Sequence, residues 1–373
     1  VGYPEVNFLY LDERDLIRAG VLDMHACAET MCEVFRLIGE GDYVMGGKNH
    51  NSHGVMIRFP DSPAFAGMPR NGPDRRFMAM VAYLGGRFHI AGEKWYGSNR
   101  ENLAKGLPRS ILMCMLNDPD TGAPLALMSG NLISAMRTGA IPGVGARYLA
   151  RPDAQDCALI GAGPISRSSF LSIIDARPQL KRVRIFDLSP EAAERLAAFI
   201  RAEYPGVEEV VIAKSLEQAV RGADIVSSAT SGSTFPYIEE EWIQPGAYFS
   251  LPAGIGMDRD FILRRARKIV DNWKMYEAWG EELPNPTYGV FGSLGCLYYD
   301  WAQEGILDPA SLDPLGDIIA GKIPGRRNEE EVILFGQAGQ PVYDVAWACV
   351  VYRKALELGI GTRLNLWEKP YLA

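Results

Sequence analysis

The stretch Asp156-Cys157-Ala158-Leu159-Ile160-Gly161-Ala162-Gly163-Pro164-Ile165-Ser166 decides the fold. After its first residue the run to Ile160 is continuously apolar, as expected of a strand buried on both faces of a parallel sheet. It ends in a glycine turn. Glycines let the backbone bend sharply and let a pyrophosphate approach the N-terminus of the next helix, where free N–H groups and the helix dipole favour anions. Gly161, Gly163, Pro164, Ile165 and Ser166 are therefore candidate cofactor contacts. The third glycine of the usual motif is replaced by Ser166.

Working outward, the next strand, Arg182–Phe186, runs into Asp187, twenty-one residues after Ser166. That is close to the ~20 residues expected for the acid that binds the adenosine ribose hydroxyls. A carboxylate there repels a 2′-phosphate, so NAD is expected rather than NADP. Beyond it, helix and strand alternate: helix Pro190–Tyr204, strand Glu209–Ala213, helix Leu216–Arg221, strands Asp224–Ser228 and Tyr248–Pro252, helix Asp260–Ala266 and strand Lys268–Val270. Such alternation predicts a doubly wound parallel sheet with right-handed crossovers. Ligands bind beyond the carboxyl ends of such strands, which adds Thr230 and Ser250 to the candidate cofactor contacts.

Before residue 133 the pattern differs. A strand at Phe8–Leu11 and an amphipathic helix at Asp23–Gly39 precede alternating apolar runs, Val55–Phe59, Phe77–Tyr83 and Ser110–Leu116, broken by Gly, Pro, Asn and Asp. These predict an antiparallel sheet with long loops. A helix over Ser134–Leu149 leads into the parallel region, and the tail reads as helix, strand, helix. The expected fold is α/β: a Rossmann domain over 133–324, plus an α+β substrate-binding and dimerisation domain from 1–132 and 325–373.

The 373 residues suit two domains at roughly 100–200 residues each. A formal net charge of −8 argues against a broad basic face for nucleic acid. No apolar run reaches the ~18 residues of a membrane span, and the start of the chain carries charges without a signal-peptide core, so a cytoplasmic protein is expected. Cys27, Cys32, Cys114, Cys157, Cys296 and Cys349 lack zinc-ligand spacing. Four histidines, with no carboxylate pair beside His50 and His53, give no metal site. No Gly-x-Ser-x-Gly elbow points to a serine hydrolase.

Four basic residues, Lys48, Arg58, Lys94 and Arg137, lie in segments otherwise rich in apolar, glycine or small polar residues. A cation in such surroundings is costly unless paired. The partner is either an anionic substrate group or a structural carboxylate, and spacing alone leaves both open.

Several segments together resemble the ornithine cyclodeaminase/mu-crystallin family. They are Gly92-Glu-Lys94 with Asn99 and Gly106-Leu-Pro108, then Asn117-Asp-Pro-Asp-Thr-Gly-Ala-Pro-Leu-Ala-Leu-Met128. Ser134-Ala-Met-Arg137-Thr138-Gly-Ala140 and Gly145-Ala-Arg-Tyr-Leu-Ala150 follow, then the glycine turn and Leu315-Gly-Asp-Ile-Ile-Ala-Gly-Lys-Ile-Pro-Gly-Arg326. The resemblance covers nearly the whole chain. It implies a homodimer with a nicotinamide cofactor and a small amino-acid-like substrate. It implies Lys94 as the catalytic lysine, Arg137 as the substrate-carboxylate arginine, Thr138 beside the cofactor phosphates and Arg109 as a further cofactor contact. Lys48 falls near a second carboxylate-binding position, and Arg58, one residue from the place of a cyclodeaminase glutamate, is a further candidate substrate anchor.

The chain departs from the cyclodeaminases after the fifth Rossmann strand, in Ser250-Leu-Pro-Ala-Gly-Ile-Gly-Met-Asp258. Ile255 stands where they carry an aspartate, and Asp258 is the nearest substitute. That argues against ornithine cyclisation and towards the branch of siderophore-precursor dehydrogenases. The expected activity is NAD-dependent hydride transfer at the α-carbon of an amino acid or N-substituted amino acid, giving an imine. The alternatives are a cyclodeaminase-type ammonia lyase, or a ketimine reductase or mu-crystallin-like binding protein.

Overall fold

The structure, a computed structural model, describes residues 4–231 and 235–372. In chain order it begins with β1 (Val6–Leu11), α1 (Glu13–Arg18), α2 (Met24–Glu40), β2 (Tyr43–Met45), β3 (Val55–Arg58), β4 (Arg76–Leu84), β5 (Ile90–Ser98), β6 (Ser110–Asn117), β7 (Pro124–Ser129) and α3 (Asn131–Leu149). Next come β8 (Asp156–Ile160), α4 (Pro164–Ala176), β9 (Arg182–Phe186), α5 (Pro190–Glu203), β10 (Glu209–Ile212), α6 (Leu216–Val220), β11 (Ile225–Ser228), β12 (Tyr248–Leu251) and β13 (Arg267–Val270). The chain closes with α7 (Trp273–Glu282), α8 (Tyr288–Phe291), α9 (Leu294–Gln303), β14 (Asp313–Pro314), α10 (Leu315–Ile319), β15 (Ile333–Gly336), α11 (Pro341–Leu358) and β16 (Thr362–Trp367). Two compact units result. One comprises Val1–Asp23, Asp42–Ser134 and Gln340–Ala373, the other Met24–Gly41 and Ala135–Gly339.

In the first unit the sheet order is β16-β1-β7-β6-β5-β4-β2, with β3 also on β4. Strands β4 to β7 are antiparallel. The two-residue period of a strand sends alternate side chains to opposite faces. Met78, Met80, Ala82 and Leu84 of β4 are accordingly buried, and α11 packs over β4, β5 and β6. The helix is buried along most of its length from Pro341 to Val351, because α1 lies against it as well.

In the second unit every described pairing is parallel, in the order β10-β9-β8-β11-β12-β15-β13-β14. Cys157–Ile160 of β8 are all buried at its centre. The strand order reverses between β8 and β11, the point at which doubly wound sheets bind ligands. Helices α3 and α4 meet at small residues: the Ser168 hydroxyl donates to the Ala135 carbonyl at 3.1 Å, and the Gly143 N–H donates to Ser172 Oγ at 3.0 Å. Beneath the other half of the sheet lies a core of large rings, Phe249, Tyr276, Trp279 and Tyr298.

Two expected boundaries move. Residues 24–41 belong to the second unit, where α2 packs on α10 and the Lys322 ammonium donates to the Gly39 carbonyl. The return to the first unit falls at Gln340 rather than near 325, because β15 lies between β12 and β13 as a central strand of the second sheet. Helices α7 and α9 and strand β16 are additions to the sequence reading. Among the described residues no helix is long and apolar enough to cross a membrane. No group of three or more His, Cys, Asp or Glu among them could hold a metal ion.

Candidate active-site residues

In β5, Lys94, Tyr96 and Ser98 are buried on the face covered by α11, whereas Trp95 points outward. Lys94 lies between Met80 of β4 and Cys114 of β6. A cation among such neighbours needs a counter-charge, and the first helical turn of α11 supplies it. Lys94 Nζ donates to Asp344 Oδ2 at 2.8 Å and to Ser134 Oγ at 3.3 Å. The two side chains are 3% and 1% exposed. Gly92 explains how the helix comes so near: a Cβ there would lie 2.5 Å from the Met115 carbonyl oxygen and 3.3 Å from Val345 Cγ2. The Tyr96 ring centroid lies 5.6 Å from the ammonium.

Asp344 is a candidate site residue that the sequence reading did not include. Its signal is that of the basic candidates with the sign reversed: it is the only charge between Pro341 and Tyr352, in an otherwise apolar segment. Lys268, also buried, serves a different purpose: its ammonium donates to the carbonyls of Leu263 at 3.1 Å and Ala266 at 3.2 Å, closing a turn.

The other basic candidates are dispersed. Lys48 is exposed in the turn after β2, and Arg58 is exposed at the end of β3 with Nε 3.0 Å from Met56 Sδ. Arg109 Nε lies 2.7 Å from Asp74 Oδ2, in a cluster where Asp74 also takes the Ser98 hydroxyl and the Arg76 guanidinium. Arg137 is 4% exposed on α3, with Thr138 half-buried beside it.

In the second unit Gly161 has φ +93°, and a Cβ on it would lie 2.7 Å from the Ala229 carbonyl oxygen. Only glycine fits both the backbone and the space. Its N–H donates to the Phe186 carbonyl at 2.8 Å. Gly163 is the N-cap of α4, with open space where a side chain would stand. Pro164 starts the helix, where its missing N–H costs nothing, and Ile165 follows. Ser166 is 1% exposed, and its hydroxyl finds no partner among the described residues. Asp187, half-buried at the end of β9, accepts the Ala162 N–H at 2.6 Å and the Ser189 N–H at 2.7 Å. Thr230 follows β11 half-buried, and Ser250 is fully buried in β12.

Asp258 has a structural task. It is exposed, and its Oδ1 accepts the Phe261 N–H at 2.8 Å, capping the turn over Phe261–Arg265. Ile255, at the position of the cyclodeaminase aspartate, is 3% exposed. The cysteines offer no nucleophile in this region: burial pushes the Cys157 and Cys296 thiols up to about 12.

The residues fit a dinucleotide. A glycine turn without side chains feeds a thirteen-residue helix, whose first buried hydroxyl is unpaired, and a fixed carboxylate ends the adjacent strand. Fold and turn together define a Rossmann-type dinucleotide-binding unit. The chain belongs to the ornithine cyclodeaminase/mu-crystallin family, whose model matches residues 21–359.

Among its relatives is N-((2S)-2-amino-2-carboxyethyl)-L-glutamate dehydrogenase of Staphylococcus aureus, 28% identical over 97% of this chain and 99% of that one. Alanine dehydrogenase of Archaeoglobus fulgidus is 30% identical over 78% and 84%. Among solved structures, Delta(1)-pyrroline-2-carboxylate reductase of Thermococcus litoralis, in complex with NADH and L-proline, superposes with a TM-score of 0.77 at 27% identity, over 95% and 99% of the two chains.

Proposed function

We propose that this protein is an NAD-dependent oxidoreductase acting on the C–N bond of an amino acid or N-substituted amino acid, with hydride transfer at the α-carbon and an imine as product. The observation that carries this reading is the buried Lys94–Asp344 pair, present in a chain that also holds a glycine turn leading into a helix N-terminus. The relatives' names add support, since each describes chemistry at the nitrogen-bearing carbon of an amino acid.

NAD, when bound, supplies the hydride acceptor. Arg137 holds the substrate α-carboxylate and so fixes the direction of the Cα–H bond, the kind of orientation that lowers a barrier most. Lys94 handles the amine proton as the C–N bond gains double-bond character. Asp344 keeps the lysine in one orientation, and Ser134 Oγ provides a second polar contact. Asp187 engages the adenosine ribose. Asp258, which accepts the Phe261 N–H, is left out of this assignment, as are Lys48 and Arg58, whose side chains are exposed. Reversal of the same steps reduces an imine.

The test is incubation with NAD and a panel of L-alanine, L-proline and N-(2-amino-2-carboxyethyl)-L-glutamate, following the absorbance of reduced nicotinamide. Turnover of at least one is expected, with Lys94→Met and Asp344→Asn each lowering it by about 10²–10⁴-fold, the usual contribution of positioned acid–base groups. Undiminished turnover in Lys94→Met overturns the assignment. Ammonium release without net cofactor reduction would indicate a cyclodeaminase instead.

The assembly proposed is a homodimer formed through the outward face of the first sheet. Phe77, Val81, Trp95, Ile111 and Met113 stand 39–50% exposed there on three adjacent strands, and the Phe77 and Trp95 rings stack at 5.9 Å. An apolar face of this kind is self-complementary about a two-fold axis.

A further inference from the structure

Arg58 and Arg76 stand directly opposite one another where β3 pairs with β4. Like charges facing across a sheet repel, so this pair needs an explanation. Both lie on the inner face, since Met56 and Met78 are the matching pair two residues along and Met78 is buried there. The Arg58 guanidinium meets no carboxylate among the described residues; its Nε lies 3.0 Å from Met56 Sδ, a weak acceptor. Arg76 shares Asp74 with Arg109, whose Nε is 2.7 Å from Asp74 Oδ2, and its own Nε is buried without a hydrogen-bond partner. Three guanidinium groups thus have one carboxylate between them, in a protein of net charge −8.

The surroundings fix these groups in place. Asp74 is held at φ +56°, a left-handed conformation uncommon for a residue with a side chain. Its carboxylate takes the Ser98 hydroxyl as well as the two arginines, and Ser110 Oγ donates to Ser98 Oγ at 2.9 Å. Strained backbone of this kind persists only where its surroundings over-determine it, and it clusters at ligand sites. Lys94, Tyr96 and Ser98 follow one another along the same face of β5, and the Tyr96 hydroxyl donates to Met78 Sδ at 3.2 Å. Helix α11 meets Lys94 at Asp344 and runs the other way, with Val345 beside Gly92 and Arg353 on the carbonyls of Arg87 and Phe88. The face from Tyr96 to Arg76 therefore lies beyond the first turn of the helix.

Tyr96 ties this corner to the candidate catalytic lysine. Lys94 Nζ lies 5.6 Å from the centroid of its ring and Arg76 Cζ 5.8 Å from the same point. One ring is thus flanked by the cation assigned to the substrate amine and by a second cation short of counter-charge. An extended glutamate places its amine and distal carboxyl carbon about 5 Å apart. Contacts of about 3 Å at each end bring its reach to about 11 Å, the limit that the two ring distances set on the gap between the cations. We propose that Arg58 and Arg76 form a subsite for a second carboxylate, carried on the side chain or the N-substituent of the amino acid. Paired guanidinium groups suit such a guest, because each presents a planar fork of donors to the two oxygens. This rests on the amino-acid reading of Lys94 above. It adds the substrate class, dicarboxylic amino acids, and the residues that select it.

L-glutamate and L-norvaline have the same chain length and differ only in the distal carboxylate, so together they isolate its contribution. Binding of each is measured by calorimetry on the protein loaded with NADH, which prevents turnover, for the wild type, Arg58→Met and Arg76→Met. The wild type is expected to bind L-glutamate at least about tenfold more tightly than L-norvaline, the contribution of a charged hydrogen-bonded pair. Each variant should lose about tenfold in affinity for L-glutamate and change by less than about twofold for L-norvaline. Arg76→Met takes a partner from Asp74; if it does not fold, Arg58→Met, whose side chain is exposed and pairs with no carboxylate, carries the test alone. Equal wild-type affinity for the two amino acids overturns the proposal, as does equal weakening of both in Arg58→Met. A wild type that binds neither also overturns it. Turnover of L-alanine or L-proline in the panel above decides the oxidoreductase reading separately, so the subsite can fail while that reading stands.

Discussion

Asp187 does more than end a strand. By accepting the N–H groups of Ala162 and Ser189 it ties the glycine turn to the loop after β9, so the group proposed for the ribose also shapes the turn proposed for the pyrophosphate. Asp187→Ala should therefore weaken NAD about tenfold or more, through a lost charged hydrogen bond and a loosened turn. It should also narrow the preference over NADP, because the repelling charge is gone; dissociation constants for both cofactors test this. Undiminished NAD affinity would reduce Asp187 to a turn residue. At this scale the sequence was legible where a residue type is demanded by its immediate neighbours, as at Gly161, whose positive φ and tight contact admit no side chain. It was not legible where the reason is a distant partner. Asp344 gains its meaning only when α11 lies on β5, and Arg109 proves to be held by Asp74. Asp258, the carboxylate nearest in sequence to the cyclodeaminase aspartate position, accepts the Phe261 N–H, a contact the sequence did not reveal.

Among the elements, the crossing of α3 and α4 depends on having almost no side chain. A Cβ on Gly139 would lie 2.1 Å from Ser168 Oγ and 2.5 Å from the Ser168 carbonyl carbon. Alanine is ordinarily the better helix residue by about 1 kcal/mol, but here it meets backbone that cannot turn aside. Gly139→Ala should lower stability by about 1–3 kcal/mol, seen as a lower melting temperature; a rise would mean the helices separate freely. The parallel strands were readable because burial on both faces leaves continuous apolar runs. Helices α7 and α9 were not, since Trp273–Glu282 and Leu294–Gln303 are rich in aromatic residues and separated by Pro284, Pro286, Gly289 and Gly292. Their helicity comes from the ring core under β12 rather than from intrinsic propensity. The placement of β15 was invisible for a related reason: a four-residue apolar strand does not announce which sheet it will join.

At the scale of the whole molecule, the outward face of the first sheet is the largest unsettled account. Ile111, 50% exposed between Phe77 and Met113 in that face, is a fitting position for a charge. Ile111→Lys should convert a dimer to a monomer in light-scattering-coupled chromatography while leaving the melting of the monomer nearly unchanged. High salt should leave the wild-type dimer intact, because apolar contact rather than ion pairing would hold it. A wild type that runs as a monomer at micromolar concentration ends the idea.

The interrupted first unit has a consequence for how the protein is made. Its sheet begins with β1, but α11 and β16 come last, after the entire second unit. Chains emerge from the ribosome in order, and segments fold as their partners become available. The parallel sheet of the second unit is complete once β15 has appeared, while the first sheet still lacks its covering helix. Lys94 precedes Asp344 by 250 residues, so the ammonium is made long before the carboxylate that pairs with it. The pair can form only after every strand of the parallel sheet has been synthesised, and a product that stops before α11 would carry the dinucleotide unit without Asp344.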